Sequence, residues 1–253
     1  MPGTERGGRL LILGGTGEAR ELAAGAVDDG MDVVSSLAGR VQRPRLPVGE
    51  VRIGGFGGVD GLADYVRAER ISCVVDATHP FAATMTRHAV AACAASSTPL
   101  LRLRRPPWSP SAGDDWFRLP DMAAAADYVA TRRGRVFLTT GRQDVGVFAG
   151  VTDAWFLIRV VDPPSALLPP NAEILSARGP YRHDDEAALM TAHRITTLVT
   201  KNSGGALTRA KLDAARELGI EVVMVERPVE PAGLVAVDDA ASALAWVRTV
   251  IRR

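Results

Sequence analysis

Leu10-Leu-Ile-Leu-Gly-Gly-Thr-Gly-Glu-Ala-Arg-Glu-Leu22 runs an apolar stretch, a glycine turn and a set of helix formers directly into one another. Consecutive apolar residues closed by glycines predict a buried parallel strand and a turn, and Glu18 to Ala24 predict the helix that follows. Backbone N–H groups at the start of that helix would face an anion. Gly14, Gly15, Thr16, Gly17 and Glu18 are therefore candidate cofactor-binding residues, with a pyrophosphate as their ligand. The spacing falls short of the full dinucleotide fingerprint, because Arg20 stands where the third glycine belongs. A plain strand-to-helix turn stays open at this point.

An NAD site would carry an acidic side chain about 20 residues further on, at the end of the second strand, to hold the ribose 2′-hydroxyl. Asp32-Val-Val-Ser-Ser-Leu-Ala-Gly-Arg40 places Ser35 and Ser36 there instead, with Arg40 and Arg43 just beyond. Hydroxyl and guanidinium groups suit a 2′-phosphate, which favours NADPH over NADH. The competing reading is a solvated basic loop of Arg40, Arg43 and Arg45.

At 253 residues and 47% hydrophobic content the chain can bury one large core or two smaller ones. A net charge of +1 gives no global argument for nucleic acid or membrane binding, so an acidic ligand must be met by local clusters. No apolar run reaches signal-peptide or membrane-span length, and the expected location is the cytoplasm. Cys73 and Cys93 sit in apolar surroundings without metal-ligand spacing, which predicts buried thiols. A monomer or weak homo-oligomer is expected.

Along the chain, apolar strands alternate with helices. Strands are expected near 51–53, 71–76 and 99–105, with helices at 61–70, capped by Asp60, and at 81–95. The proline-rich stretch Pro106 to Pro110 reads as a linker. A second alternation follows: helix 121–132, strand 135–141, strands at 155–161 and 173–179, helix 184–193, strand 196–200, helix 207–218, strand 220–225 and a last helix 238–251. The pattern predicts an α/β protein of two Rossmann-like parallel-sheet α/β/α domains flanking a cleft. The boundary gives residues 1–108 to an NADP-binding domain and 109–253 to one that completes the substrate cleft.

Polar sets fall at the strand ends, where open parallel sheets bind ligands. Asp76, Thr78 and His79 end one strand; Asp76 and Thr78 are candidate cofactor ligands and His79 a candidate catalytic group. Thr140, Gly141 and Arg142, then Arg178, then Lys201, Asn202, Ser203 and Gly204, together with Arg104, are candidate binders of a polycarboxylate substrate. His79, Tyr181 and Lys201 are candidate general acids. Each has a structural counterpart: His79 as a backbone-bonded residue before Pro80, Asp76 and Asp184 as helix caps, Asp184/Asp185/Glu186 as complements of a helix dipole. A short-chain dehydrogenase would need Tyr-x-x-x-Lys, but Tyr128 precedes Arg132 and Tyr65 precedes Glu69. Phosphate-loop, His-Glu-x-x-His and Gly-x-Ser-x-Gly motifs are absent from the sequence.

The blocks Leu11-Ile-Leu-Gly-Gly-Thr-Gly-Glu-Ala19, Ser36-Leu-Ala-Gly-Arg40, Gly54-Gly-Phe-Gly-Gly58, Asp76-Ala-Thr-His-Pro-Phe-Ala82, Thr139-Thr-Gly-Arg142 and Lys201-Asn-Ser-Gly-Gly205 resemble, in this order, the precorrin-6A reductase family of cobalamin biosynthesis. The resemblance implies NADPH-dependent reduction of one double bond of the precorrin-6A macrocycle, a tetrapyrrole, to precorrin-6B. It also implies exchange of strands between the two domains, which would shift the expected boundary by an element. Two rivals are an NADP-binding redox sensor acting through a protein partner and an NADP-dependent reductase of another polycarboxylate.

Overall fold

The computed structural model describes residues 8–39 and 45–251. The chain forms two compact units: one holds the described residues up to Pro106 together with those from Val229 onward, the other Pro107–Pro228.

The first unit opens with β1 (Arg9–Leu13), α1 (Gly17–Asp28), β2 (Asp32–Leu37), β3 (Glu50–Ile53), α2 (Val59–Ala68), β4 (Ile71–Asp76), α3 (Ala83–Ala95) and β5 (Leu100–Leu103). Strands buried on both faces read as continuous apolar runs rather than alternations, and Leu10 to Leu13 are each at most 1% exposed. Leu10 and Ile12 pack under α1, while Leu11 and Leu13 pack under α2 and α3. Cys73 and Cys93 are free and buried, and burial pushes both thiols up to about 12. The expected cap Asp60 lies inside the first turn of α2, whose N-cap is Gly58. With φ +102°, Gly58 adopts a backbone that favours glycine there.

The second unit contains β6 (Trp116–Leu119), α4 (Met122–Ala130), β7 (Arg135–Leu138), a 3-10 turn (Val145–Phe148), β8 (Trp155–Val160), β9 (Ala172–Ser176), α5 (His183–Ala192), β10 (Thr197–Lys201), α6 (Ala210–Glu217) and β11 (Glu221–Val225). Its six parallel strands run in the order β6-β11-β10-β7-β8-β9.

From Val229 the chain returns to the first unit, adding β12 (Ala236–Val237) and α7 (Ala240–Ile251). β12 pairs parallel with β5, giving the order β12-β5-β4-β1-β2-β3. Ala240, Ala243 and Val247 of α7 enter the core beside Leu22 and Ala26 of α1. The division therefore differs from the expected 1–108 and 109–253. The apolar face of α7 is buried in the core beneath the first sheet, and the edge of β5 takes a parallel partner there.

In both sheets the strand order reverses direction at one place: between β1 and β4 in the first, between β7 and β10 in the second. Crevices outside the carboxyl ends of strands at such a reversal are where ligands bind in open α/β sheets.

Candidate functional site

In the first unit that crevice is the Gly14–Thr16 turn facing the end of β4. Thr16 is the N-cap of α1: its hydroxyl accepts from Ala19 N at 3.1 Å and donates to the Ala77 carbonyl at 2.9 Å, tying the turn to the loop after β4. Gly14 N donates to the Ser36 carbonyl at 2.9 Å, tying it to β2. Gly15 has φ +115°, and a Cβ added there would meet nothing within 4 Å, so the backbone lies open to a ligand. Glu18 pairs with Arg105 at 2.9 Å.

Gly14, Gly15, Arg20, Ser35 and Arg45 line a small open cleft together with Leu37 and Pro47. Ser35 is 2% exposed, and its buried hydroxyl has no hydrogen-bond partner among the described residues. Such a group in a native site calls for a ligand or water. Ser36 faces the other layer and accepts at Oγ from Arg52 at 2.8 Å. Among the described residues no carboxylate pairs with Arg20, Arg45 or Arg52. Arg40 and Arg43, expected at the 2′-phosphate, lie outside the described residues.

Asp76 is fully buried and wholly engaged. Oδ1 accepts from Thr78 N and Oγ1 and pairs with Arg102 at 3.1 Å, and Oδ2 accepts from Thr86 at 2.6 Å. It neither caps a helix nor reaches outward. Instead it shapes the 76–79 loop, while Arg102, also fully buried, continues to the Asp76 and Thr78 carbonyls and to Glu230. Arg104 pairs with the same Glu230 at 2.6 Å, which occupies it within the first unit. His79 Nδ1 accepts from Phe81 N at 3.3 Å, which leaves the ring proton of the neutral imidazole on Nε2.

In the second unit the crevice lies between the ends of β7 and β10. Thr139 bonds the Val199 carbonyl through both N–H and hydroxyl, so the two ends are fixed side by side. The Thr140 hydroxyl is buried without a partner among the described residues, next to Gly141 at φ +86°. Lys201 pairs with Asp144. Asn202 is 0% exposed; its side chain accepts from Trp108 N at 2.8 Å and donates to the Trp108 carbonyl at 3.1 Å. The side chain expected on substrate thus anchors the backbone of Trp108. The Ser203 carbonyl accepts from Arg227, and Gly204 has φ +69°. Arg142 is half-buried and Arg178 exposed. Tyr181 donates to the Ala177 carbonyl at 3.1 Å, and burial holds its phenol above the ordinary value despite Arg159, whose guanidinium stacks 3.7 Å from the ring. Among the described residues no cluster of three metal-ligating side chains occurs, and no helix is long and apolar enough to cross a membrane.

A family model described as Precorrin-6x reductase CbiJ/CobK matches residues 9–248. The chain belongs to that family. A precorrin-6A reductase of Rhodococcus erythropolis is 57% identical over 97% of this chain and 99% of the relative. One of Mycobacterium tuberculosis is 53% identical over 94% and 97%. A solved CobK precorrin-6A reductase superposes with a TM-score of 0.91 at 43% identity, covering 96% of this chain and 97% of that one. Relatives named cobalt-precorrin-6A reductase match at 29% to 26%. As a member of the precorrin-6x reductase family the chain is an oxidoreductase of cobalamin biosynthesis, and such a reductase implies a nicotinamide cofactor.

Several residues of this reductase escape sequence reasoning. Arg20 reads as a departure from the glycine fingerprint, yet it lines the cleft. Arg45 reads as one of three basic loop residues, and only its place in the lining of that cleft distinguishes it. Arg52 carries a weak signal, a charged residue in a short strand, and its pairing opposite Ser36 follows from the β2–β3 register.

Proposed function

We propose that the chain reduces one carbon–carbon double bond of precorrin-6A to give precorrin-6B, with NADPH as the reductant. The observation that carries the cofactor assignment is the cleft at the end of β2. There the orphaned Ser35 hydroxyl shares a cleft with Arg20 and Arg45, neither of which pairs with a carboxylate among the described residues, and an anion satisfies both the hydroxyl and the charges. The residues fit the group: the open turn at Gly15 leaves backbone room for a pyrophosphate, and the α1 N-terminus faces it with a favourable dipole.

When bound, the nicotinamide supplies hydride. The chain's own residues position the reactants and exclude water. Asp76 and Arg102 hold the 76–79 loop, which presents His79. His79 is the best placed of the three candidate acids, because its bond from Phe81 N directs the ring proton to Nε2. Tyr181 spends its proton on a backbone carbonyl, and Lys201 is paired with Asp144. In the second unit Thr140, Gly141, Arg142 and Arg178 take acetate and propionate arms of the macrocycle through hydroxyl, backbone and guanidinium donors. The cobalt-free macrocycle is the preferred form, since the relatives named for it are far more similar than those named for the cobalt form.

An absorbance assay with precorrin-6A and its cobalt analogue, each run with NADPH and NADH, tests this reading. Turnover with precorrin-6A and NADPH is expected. Equal rates with NADH would remove the 2′-phosphate assignment, and absence of turnover on either macrocycle would remove the reaction.

A further inference from the structure

We propose that Glu230 is a positioning residue for the nicotinamide end of the cofactor site, acting through Arg102 on the loop that carries His79. The inference rests on the NADPH reading above and on His79 as the proton donor.

Strand order gives the loop its place. The cleft with Ser35 lies at the end of β2, the open glycine turn follows β1, and the 76–79 loop follows β4, with β1 standing between the other two strands. Neighbouring strands lie about 4.8 Å apart. A dinucleotide with its 2′-phosphate at β2 and its pyrophosphate at the glycine turn therefore extends its other half toward β4. Thr16 of that turn donates to the Ala77 carbonyl, two residues before His79, so turn and loop are in direct contact.

Arg102 holds the loop from below. Its Nη1 donates to the Asp76 and Thr78 carbonyls at 2.9 and 3.1 Å and pairs with Asp76 Oδ1. The side chain is 0% exposed, and Nη2 is buried without a partner among the described residues. Nε relies on Glu230 Oε1 at 3.1 Å. The segment that carries Glu230 is fastened to β5 by other means: the N–H groups of Arg102 and Arg104 donate to the Val235 and Val237 carbonyls. A buried guanidinium that loses its acceptor at Nε, with Nη2 already unsatisfied, carries a heavy desolvation cost. It would turn toward Asp76 or draw in water, and the two carbonyl bonds that set the loop would give way. Glu230 thereby fixes where His79 stands without itself meeting the nucleotide.

The test compares full chains of the wild type, Glu230→Ala, Glu230→Gln, His79→Ala and the Glu230→Ala/His79→Ala double variant. Turnover of precorrin-6A with NADPH, calorimetric binding of NADPH and 2′,5′-ADP, and nitrogen NMR of the histidine rings are measured on each. Glu230→Ala is expected to lower kcat about tenfold, within the roughly 100-fold that a 1 Å misplacement costs. Both Kd values should stay within about threefold, since the phosphate contacts are untouched. The double variant should match His79→Ala alone, as two residues acting through one group require. Glu230→Gln should fall between wild type and Glu230→Ala, because its amide oxygen still accepts from Nε. The neutral His79 ring, assigned by its missing signal in His79→Ala, should carry its proton on Nε2 in the wild type and shift to a tautomer mixture in Glu230→Ala. Wild-type kcat in Glu230→Ala, losses that multiply in the double variant, or weakened 2′,5′-ADP binding each overturn the role of Glu230. If Glu230→Ala fails to fold, Glu230→Gln, alone and with His79→Ala, decides on the same criteria. A His79→Ala enzyme with wild-type turnover overturns the His79 reading instead, and an unshifted ring signal in Glu230→Ala then overturns the hold of Glu230 on the loop as well.

Discussion

At the scale of single residues, the hydroxyl of Tyr181 and the imidazole of His79 separate by what each is bonded to. Tyr181→Phe removes one hydrogen bond to a carbonyl, a loss of about 1 kcal/mol in stability, and should leave kcat nearly unchanged. His79→Ala should lower kcat with little effect on the Kd for NADPH, by no more than the roughly 100-fold lower end of general acid–base effects. Steady-state turnover on precorrin-6A checks both, and losses far above that in both variants would show that proton transfer, not positioning, limits the reaction. The sequence identified the glycine turn and the hydroxyls of β2 because strand-end residues are read directly from an apolar run and its stop. It did not reveal the partners that hold Asp76 and Asn202, because a polar residue at a strand end looks alike whether it faces a ligand or a neighbouring segment. The difference lies in Arg102 and Trp108, which approach from elsewhere in the chain.

At the scale of elements, α5 shows how a cluster of like charges conceals different roles. Asp184, Asp185 and Glu186 all complement the helix dipole when read in sequence, but Glu186 is 2% exposed and forms a buried bidentate pair with Arg159 on β8. Glu186→Ala leaves that guanidinium buried and unpaired between Phe137 and Tyr181. Chemical denaturation should show a loss of about 3–5 kcal/mol. His183, at the start of the same helix, bonds Asp184 and bridges to Glu217 of α6. The hydrogen bond to Asp184, helped by Glu217, raises its pKa above the ordinary 6.5. Its contribution is therefore complete below pH 6.5 and fades as pH rises through the raised value. NMR titration should find this elevated pKa, and His183→Ala should flatten that part of the stability profile. Elements were legible wherever periodicity was strong. β6 and β12 were not, since four residues in one and two in the other carry too little pattern to separate from loop.

At the scale of the whole molecule, the return of the chain at Val229 makes the first unit discontinuous in sequence. Its core takes Ala243 and Val247 from α7 and its sheet takes β12, both from the stretch that follows the second unit in sequence. A chain stopped at Pro228 should therefore lose cooperative melting of the first unit and, on the function proposed above, binding of NADPH, while Pro107–Pro228 keeps its own transition; differential scanning calorimetry resolves the two. Composition could not reveal this, because α7 looks the same whichever sheet it covers. The topology also has a consequence for synthesis on the ribosome. The stretch begun first is the one finished last: the inserted unit emerges whole and can close while its host still waits for a strand and a helix. Domains fold as units as they are made, so the nucleotide site should mature only after residues 229–251 leave the exit tunnel. Nascent chains arrested before that point would then carry an unclosed β5 edge, the surface on which a chaperone or a neighbouring nascent chain could pair.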